Sequence, residues 1–215
     1  DGTMIDNMMV HHKAWQRKLA SLGMHMSIEQ VMEEIHGVNE EIISRLFGTR
    51  FNDAEIRQIA GDKEEEYRTI FADKIALIDG LEQFLETALH LGIPMGIGTA
   101  APPENVEFVL NALNLRKYFK TVVSSDMVTK GKPDPEVFEK VAQQLNIPIA
   151  QCVIFEDSPT GAKAAENANA PAVVINTTHT KAEFTKISSV AAFVSDYKNC
   201  SISKAEENGY FVIEL

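Results

Sequence analysis

The sequence predicts an α/β fold, a parallel sheet with helices on both faces, interrupted near its start by an all-helical region. Three observations carry this expectation. From residue 76 onward, short apolar runs alternate with helical stretches of about ten residues, the arrangement that builds a parallel sheet. Residues 8–74 place their apolar positions at helical spacing only, and no segment there alternates like a strand. Carboxylates, a hydroxyl and a lysine stand directly after the apolar runs, where open α/β sheets bind ligands.

In the helical region, Val10, Ala14, Trp15, Leu19 and Leu22 form one apolar stripe. Ser27 is suited to cap a second helix carrying Ile28, Val31, Ile35, Val38 and Ile42. A third helix, from Asp53 to Ala72, carries Ile56, Ile59, Tyr67, Ile70 and Phe71, and Gly61 is expected to break or bend it. In the second region Leu81, Phe84, Leu85, Ala88 and Leu89 make a helix face that Gly92 ends. Residues 94–98 then read as a short buried strand. Pro103 fits a first helical position ahead of Val106, Val109, Leu110 and Leu113. Thr121 to Ser124 is the next strand, and Pro135 opens a helix with Val137, Phe138, Val141 and Leu145. Cys152 to Phe155 reads as a strand, Thr160 to Ala168 as a helix and Ala172 to Asn176 as a strand. Lys181 to Ile187 is a weaker helix, and Ala191 to Val194 and Tyr210 to Ile213 close the chain as short strands.

The 215 residues fit one domain, or a core domain with a smaller insert. Twenty Lys and Arg against 31 Asp and Glu give a net charge of −11. That balance argues against nucleic acid or an anionic membrane as the main partner, while one local cationic pocket still suffices for a small anion. Two cysteines, Cys152 and Cys200, make no disulfide scaffold and fit a reducing, cytoplasmic setting. No apolar run approaches the roughly 20 residues of a membrane helix. The chain opens on Asp1-Gly2-Thr3 without an initiator Met, so an N-terminal segment is expected upstream.

The strand ends define the chemistry. Thr99 follows the 94–98 run, Lys130-Gly131-Lys132-Pro133 lies beyond the 121–124 run, and Glu156-Asp157 follows the 152–155 run. Asp1-Gly2-Thr3-Met4-Ile5-Asp6 stands at the start. Paired carboxylates suit Mg²⁺, which takes oxygen ligands and keeps waters and substrate phosphate. A lysine adds a compact cation for phosphate, and a hydroxyl with exposed backbone N–H groups serves the remaining phosphate oxygens. Each element alone is ordinary: Asp-Gly-Thr is a common turn, Gly-Lys-Pro a common loop, Glu-Asp a common solvated strand end. Their order and placement together are specific.

Asp-Gly-Thr-x-x-Asp, a strand-end Thr, Gly-Lys-Pro-x-Pro and Phe-Glu-Asp-Ser-x-x-Gly resemble the four motifs of the haloacid dehalogenase superfamily, in its β-phosphoglucomutase-like phosphatase branch. The resemblance spans nearly the whole chain and is most specific over residues 130–165. It implies a Rossmann-like catalytic core, residues 1–7 and 75–215, with a helical cap, 8–74, inserted after the first motif. It implies Mg²⁺-dependent hydrolysis of small phosphorylated metabolites, sugar phosphates foremost, through an aspartyl phosphate by a monomeric enzyme. Asp1 would be the general acid and base, its backbone carbonyl a Mg²⁺ ligand. Thr99 and the neighbouring Ala100 would bind the transferring phosphoryl, and Lys132 would neutralise it and the nucleophile. Asp157 would ligate Mg²⁺, with Glu156 ligating directly or through water. The family's nucleophile, an Asp two residues before the Asp-Gly pair, falls upstream of Asp1, as does the strand that bears it.

In the cap, the resemblance places His11 and Lys63 near the substrate. The plainer alternatives are a solvated helix start at His11-His12 and one charge of a mixed run at Lys63. Two departures separate the chain from true phosphosugar mutases. The segment Gly37-Val38-Asn39-Glu40 puts a carboxylate where those enzymes carry a phosphate-clamping arginine, and Ala101-Pro102-Pro103 replaces their polar cluster. The alternatives to a phosphatase are such a mutase, or a catalytically silent binding protein without a nucleophile.

Overall fold

The computed structural model describes residues 1–205 and 210–215. The chain divides into two compact units, Asn7–Ile75 on one hand and Asp1–Asp6 with Ala76–Leu215 on the other.

The first of these is helical: α1 (Met8–Ser21), α2 (Ile28–Glu34), α3 (Asn39–Phe47) and α4 (Asp53–Phe71). Ser27 caps α2 as expected, in a reciprocal box with Gln30, and Asn52 caps α4 in the same way with Glu55. The stretch from Ser27 to Ile42 is two helices rather than one. The chain leaves α2 extended at Ile35 and turns at Gly37, whose φ of +106° strongly disfavours a side chain. Gly61, by contrast, does not interrupt α4. A mid-helix glycine costs only about 1 kcal/mol, and the buried face of Ile56, Ile59, Ala60, Tyr67 and Phe71 outweighs it. Trp15, Leu19, Val31, Ile35, Ile42, Ile43, Ile56 and Ile59 join in one core that ties the four helices together.

The larger unit alternates as the sequence implies. Its elements are α5 (Leu81–His90), β1 (Gly96–Gly98), α6 (Pro103–Ala112), β2 (Thr121–Val123), α7 (Glu136–Leu145), β3 (Ile154–Glu156), α8 (Pro159–Asn167), β4 (Ala172–Ile175) and β5 (Val190–Val194). The β1–β2, β3–β4 and β4–β5 pairs are all parallel, with Gly96 opposite Thr121 and Ile154 opposite Ala172. All four residues of β4 are buried, as an apolar run in a parallel sheet requires. The Lys181–Ile187 helix is reduced to a single 3₁₀ turn, Lys181–Phe184. A C-terminal antiparallel hairpin pairs β6 (Ser201–Lys204) with β7 (Phe211–Glu214). The β6 strand has no sequence signal, because Ile202 is its one apolar residue. The N-terminal residues belong to this unit. Met4 O accepts Ile78 N–H at 2.9 Å, Thr3 O accepts Tyr197 O–H at 2.9 Å and Gly2 O accepts Thr177 O–H at 2.6 Å. No helix of the described residues is long and apolar enough to cross a membrane.

Candidate active site

The turn Asp1-Gly2-Thr3 wraps the carboxylate of Asp157. Thr3 Oγ1 donates to Asp157 Oδ1 at 3.1 Å, and Thr3 N–H closes the turn on Asp1 O at 2.6 Å. Gly2 has φ +62°, and a Cβ there would lie 2.0 Å from Asp157 Oδ2. Only glycine therefore lets the carboxylate sit on this backbone. Burial, and then the neighbouring Glu156 charge, push the Asp157 carboxyl above its ordinary range.

Glu156 ends β3 and is buried, with 5% of its surface exposed. Its Oε1 pairs with the Lys132 ammonium. Its Oε2 accepts from Asp157 N–H at 3.1 Å, and from Ser158 N–H and Ser158 O–H, each at 3.3 Å. Burial alone would raise its carboxyl, but Lys132 and these N–H groups outweigh it and hold the group below the usual range. Both oxygens are thus engaged, Oε1 by Lys132 alone among the described residues. Gly161, in the first turn of α8, leaves the room: a Cβ there would come within 2.0 Å of the Glu156 carboxyl carbon.

Lys132 reaches the site from the loop before α7. Its Nζ lies 3.4 Å from Gly98 O, at the end of β1, and 4.7 Å from the centre of the Phe138 ring. It therefore spans the carboxyl ends of β1 and β3. Lys130, two residues earlier, is 73% exposed, and its ammonium lies 3.7 Å from the Asp134 carboxylate. Thr99, next to Gly98, is half-buried, and its Oγ1 accepts Ala101 N–H at 3.1 Å, which tightens the turn after β1. Ala100 is exposed in that turn.

Asp1, Thr99, Lys132, Glu156 and Asp157 thus all stand at the carboxyl ends of β-strands or on the turn packed against them. The buried Glu156 carboxylate pairs with the Lys132 ammonium, and the half-buried Asp157 carboxylate lies against the turn at Gly2. Oxygen-only donors, the Asp157 carboxylate and the Asp1 carbonyl, fit Mg²⁺, which keeps waters and phosphate oxygens among its ligands. Among the described residues no group of three or more His, Cys, Asp or Glu could hold a metal ion by itself.

His11 and Lys63 lie in the helical unit and meet each other: Lys63 Nζ is 2.9 Å from His11 Nδ1. Lys63 is 2% exposed and pairs with Glu64 Oε1 at 2.8 Å, an oxygen that also accepts Asn39 Nδ2 at 2.7 Å. The His11 ring stacks on Tyr67 at 3.9 Å with 3° between planes, and the Tyr67 hydroxyl accepts Asn7 Nδ2 at 2.7 Å. Sequence reasoning missed Asn7, Asn39, Glu64 and Tyr67. The run Lys63-Glu64-Glu65-Glu66 looks solvated, yet Lys63 and Glu64 share the buried face of α4 with Tyr67, which the sequence places on the helix's apolar side. The spacing of Tyr67 four residues after Lys63 was the available signal.

The model of the haloacid dehalogenase-like hydrolases matches residues 1–169, and the chain belongs to that family. The fructose-1-phosphate phosphatase YqaB of Escherichia coli (strain K12) is 31% identical over 80% of this chain and 91% of its own length. A chloroplastic 5-amino-6-(5-phospho-D-ribitylamino)uracil phosphatase of Arabidopsis thaliana is 27% identical over 83% of this chain, which spans about half of it, 48%. Among solved structures, a family IA, variant 3 hydrolase from Entamoeba histolytica superposes with TM-score 0.85 at 24% identity, covering 94% of this chain and 92% of that one. A β-phosphoglucomutase from Clostridium difficile does so with TM-score 0.77 at 23% identity, covering 92% and 88%. The fold is that of these two structures, and both curated relatives carry the name of phosphatases.

Proposed function

We propose that the protein is a Mg²⁺-dependent phosphohydrolase of small phosphorylated metabolites, acting through an aspartyl phosphate. The observation that carries this reading is Lys132, a cation held between the end of β1 and Glu156 beside the enclosed Asp157 carboxylate. Fructose 1-phosphate and a phosphoribitylamino compound in the relatives' names point to phosphorylated polyols and sugars as substrates.

The nucleophile in this reading is an aspartate borne by residues preceding Asp1. Two features support it: among the described residues β1 pairs with β2 alone and β3 with β4 alone, and Lys132 bridges the ends of β1 and β3. A strand between them would complete one six-stranded α/β sheet and set its carboxyl end beside Lys132. The carboxylate oxygen forms a bond to phosphorus as the ester P–O bond breaks, and the Asp1 carboxyl gives its proton to the departing alcohol. Asp1 then takes a proton from water, whose oxygen bonds to phosphorus and releases inorganic phosphate and the free aspartate. The Thr99 hydroxyl and the backbone N–H of Ala100 hold the phosphoryl oxygens, and Lys132 offsets their charge. Mg²⁺ held by Asp157 and the Asp1 carbonyl supplies further neutralisation of that charge. The unit Asn7–Ile75 would serve as the substrate-selecting cap, with His11 and Lys63 as its substrate-binding residues.

Hydrolysis is favoured over the mutase alternative. Glu40 opens α3 where a second phosphate would need a cation, and Ala101-Pro102-Pro103 offers no side-chain donors. Sustained conversion of β-glucose 1-phosphate to glucose 6-phosphate, outpacing phosphate release, would overturn that preference. The metal assignment is tested by Asp157→Asn in the full-length protein. The variant keeps its fold and loses most phosphatase activity; normal turnover with Mg²⁺ would remove Asp157 from the metal site. A monomer in the cytoplasm accords with this chemistry and with the two free cysteines, Cys152 and Cys200.

A further inference from the structure

We propose that Thr177 and Tyr197 are positioning residues of the active site: their hydroxyls pin the two peptide planes on either side of Thr3 and so hold the turn Asp1-Gly2-Thr3 against the Asp157 carboxylate. Asp1–Met4 lies outside every helix and strand of the described residues, so its backbone groups need partners from elsewhere in the fold. Thr177 Oγ1 donates to Gly2 O at 2.6 Å, and the Tyr197 hydroxyl donates to Thr3 O at 2.9 Å. Gly2 C=O shares one rigid peptide plane with Thr3 N–H, which closes on Asp1 O at 2.6 Å. Thr3 C=O lies in the next plane. With both planes held, the Thr3 backbone is fixed, and its Oγ1 is delivered to Asp157 Oδ1 at 3.1 Å.

The donors come from neighbouring strands. In the sheet order β3-β4-β5, Asp157 directly follows β3, Thr177 comes just after β4 and Tyr197 just after β5. All three therefore reach the same turn from the carboxyl ends of the strands. Each donor is itself held. Asn176 N–H bonds Val194 O at 2.8 Å and Thr177 N–H bonds Ile175 O at 2.9 Å, so Thr177 stands on a fixed backbone. Tyr197 is buried, its N–H bonds Asp79 O at 2.8 Å, and its ring packs on Phe84 and Phe155 with centroids 5.5 and 5.8 Å away. A buried phenol needs a partner for its hydroxyl, and a carbonyl acceptor makes that hydroxyl the donor. Packing has already ordered these side chains, so holding the turn adds little entropy cost. Both residues lie beyond residues 1–169, the part that matches the family model, and outside the four motifs of the sequence.

The catalytic half of this proposal rests on the phosphatase reading, and the restraint on the turn does not. The test takes the full-length protein through three measurements: amide hydrogen exchange at Thr3 without metal, a Mg²⁺ titration followed by the Thr3 and Asp157 amide signals, and kinetics on its best phosphate monoester. Tyr197→Phe keeps the packed ring and removes one oxygen. In this variant Thr3 exchanges at least about tenfold faster, since the local opening that the bond opposes becomes easier. Mg²⁺ affinity and kcat each fall about tenfold, the scale set by groups that steady a metal's ligands, while KM changes less than about threefold. Thr177→Val acts in the same direction and serves should Tyr197→Phe fail to fold, and Thr177→Ser, which keeps the hydroxyl, stays within about threefold of the wild type. In a Thr3→Ala background Tyr197→Phe has a smaller effect on Mg²⁺ affinity, because the hydroxyl that it positions is gone. A Tyr197→Phe protein with a lowered melting temperature but wild-type Thr3 exchange, Mg²⁺ affinity and kcat overturns the proposal, as does a Thr177→Ser protein no better than Thr177→Val. Faster Thr3 exchange in the variants of a protein that hydrolyses no monoester would instead overturn the phosphatase reading and leave the restraint on the turn standing.

Discussion

Lys130 and Lys132 stand two residues apart in the same loop and have opposite environments. Lys132 has 14% of its side chain exposed and pairs with a buried carboxylate, whereas Lys130 is 73% exposed and touches a surface one. The restraint around Lys132 was legible in the sequence, since Pro133 narrows the backbone of the residue before it. The carboxylate that Lys132 meets was not, because nothing in Phe-Glu-Asp-Ser says which acid faces the lysine and which faces the turn at Gly2. Glu156, expected to ligate the metal directly or through water, also anchors the lysine and the start of α8. Removing a preorganised charge from a reacting centre costs about 10²-fold or more, while an exposed ion pair contributes under about 1 kcal/mol. Lys132→Ala therefore lowers kcat at least about 10²-fold, and Lys130→Ala changes it less than about twofold. Equal losses in the two variants would move the phosphoryl-binding role off Lys132.

At the scale of elements, the junction from β3 to α8 shows how local sequence builds the site. Ser158 caps α8 by accepting Gly161 N–H at 3.0 Å, and Pro159 takes the first helical position, where its missing N–H costs nothing. The Glu156 carboxylate folds back over the same turn into space that only a glycine at 161 leaves open. Gly161→Ala must push that carboxylate aside, a form of overpacking that costs about 1–3 kcal/mol. The obstructing atoms are the far end of a flexible side chain, so the fold survives while the Lys132 anchor shifts. The expected result is a native circular dichroism spectrum, a lowered melting temperature and a kcat reduced at least about tenfold. Unchanged kcat with the same lowered melting temperature would show that the Glu156–Lys132 pair serves stability alone. Elsewhere the sequence misjudged elements where tertiary packing overrode a local signal. Gly61 did not stop α4 because the helix's apolar face continues beyond it, while Gly37 ended an apparently continuous pattern by turning left-handed.

For the whole molecule, alternation and strand-end chemistry made the α/β class and the motif residues legible before any coordinates. The helical unit was legible as helices, from the stripes on α1 and α4. Its polar interior was not, because Lys63 and Glu64 become buried only when α1, α3 and α4 pack, and charge in a sequence does not declare its partner. Joined to the family match over residues 1–169, the turn on Asp157 and the cation at Lys132 make phosphate-ester hydrolysis the central claim. The most direct measurement is inorganic phosphate released by the full-length protein from a panel of sugar, polyol and nucleotide monophosphates, with Mg²⁺ and again with a chelator. The account predicts turnover of at least one sugar or polyol phosphate that depends on Mg²⁺ and returns when the metal is restored. A folded full-length protein that releases phosphate from none of them, with the metal present, would contradict it.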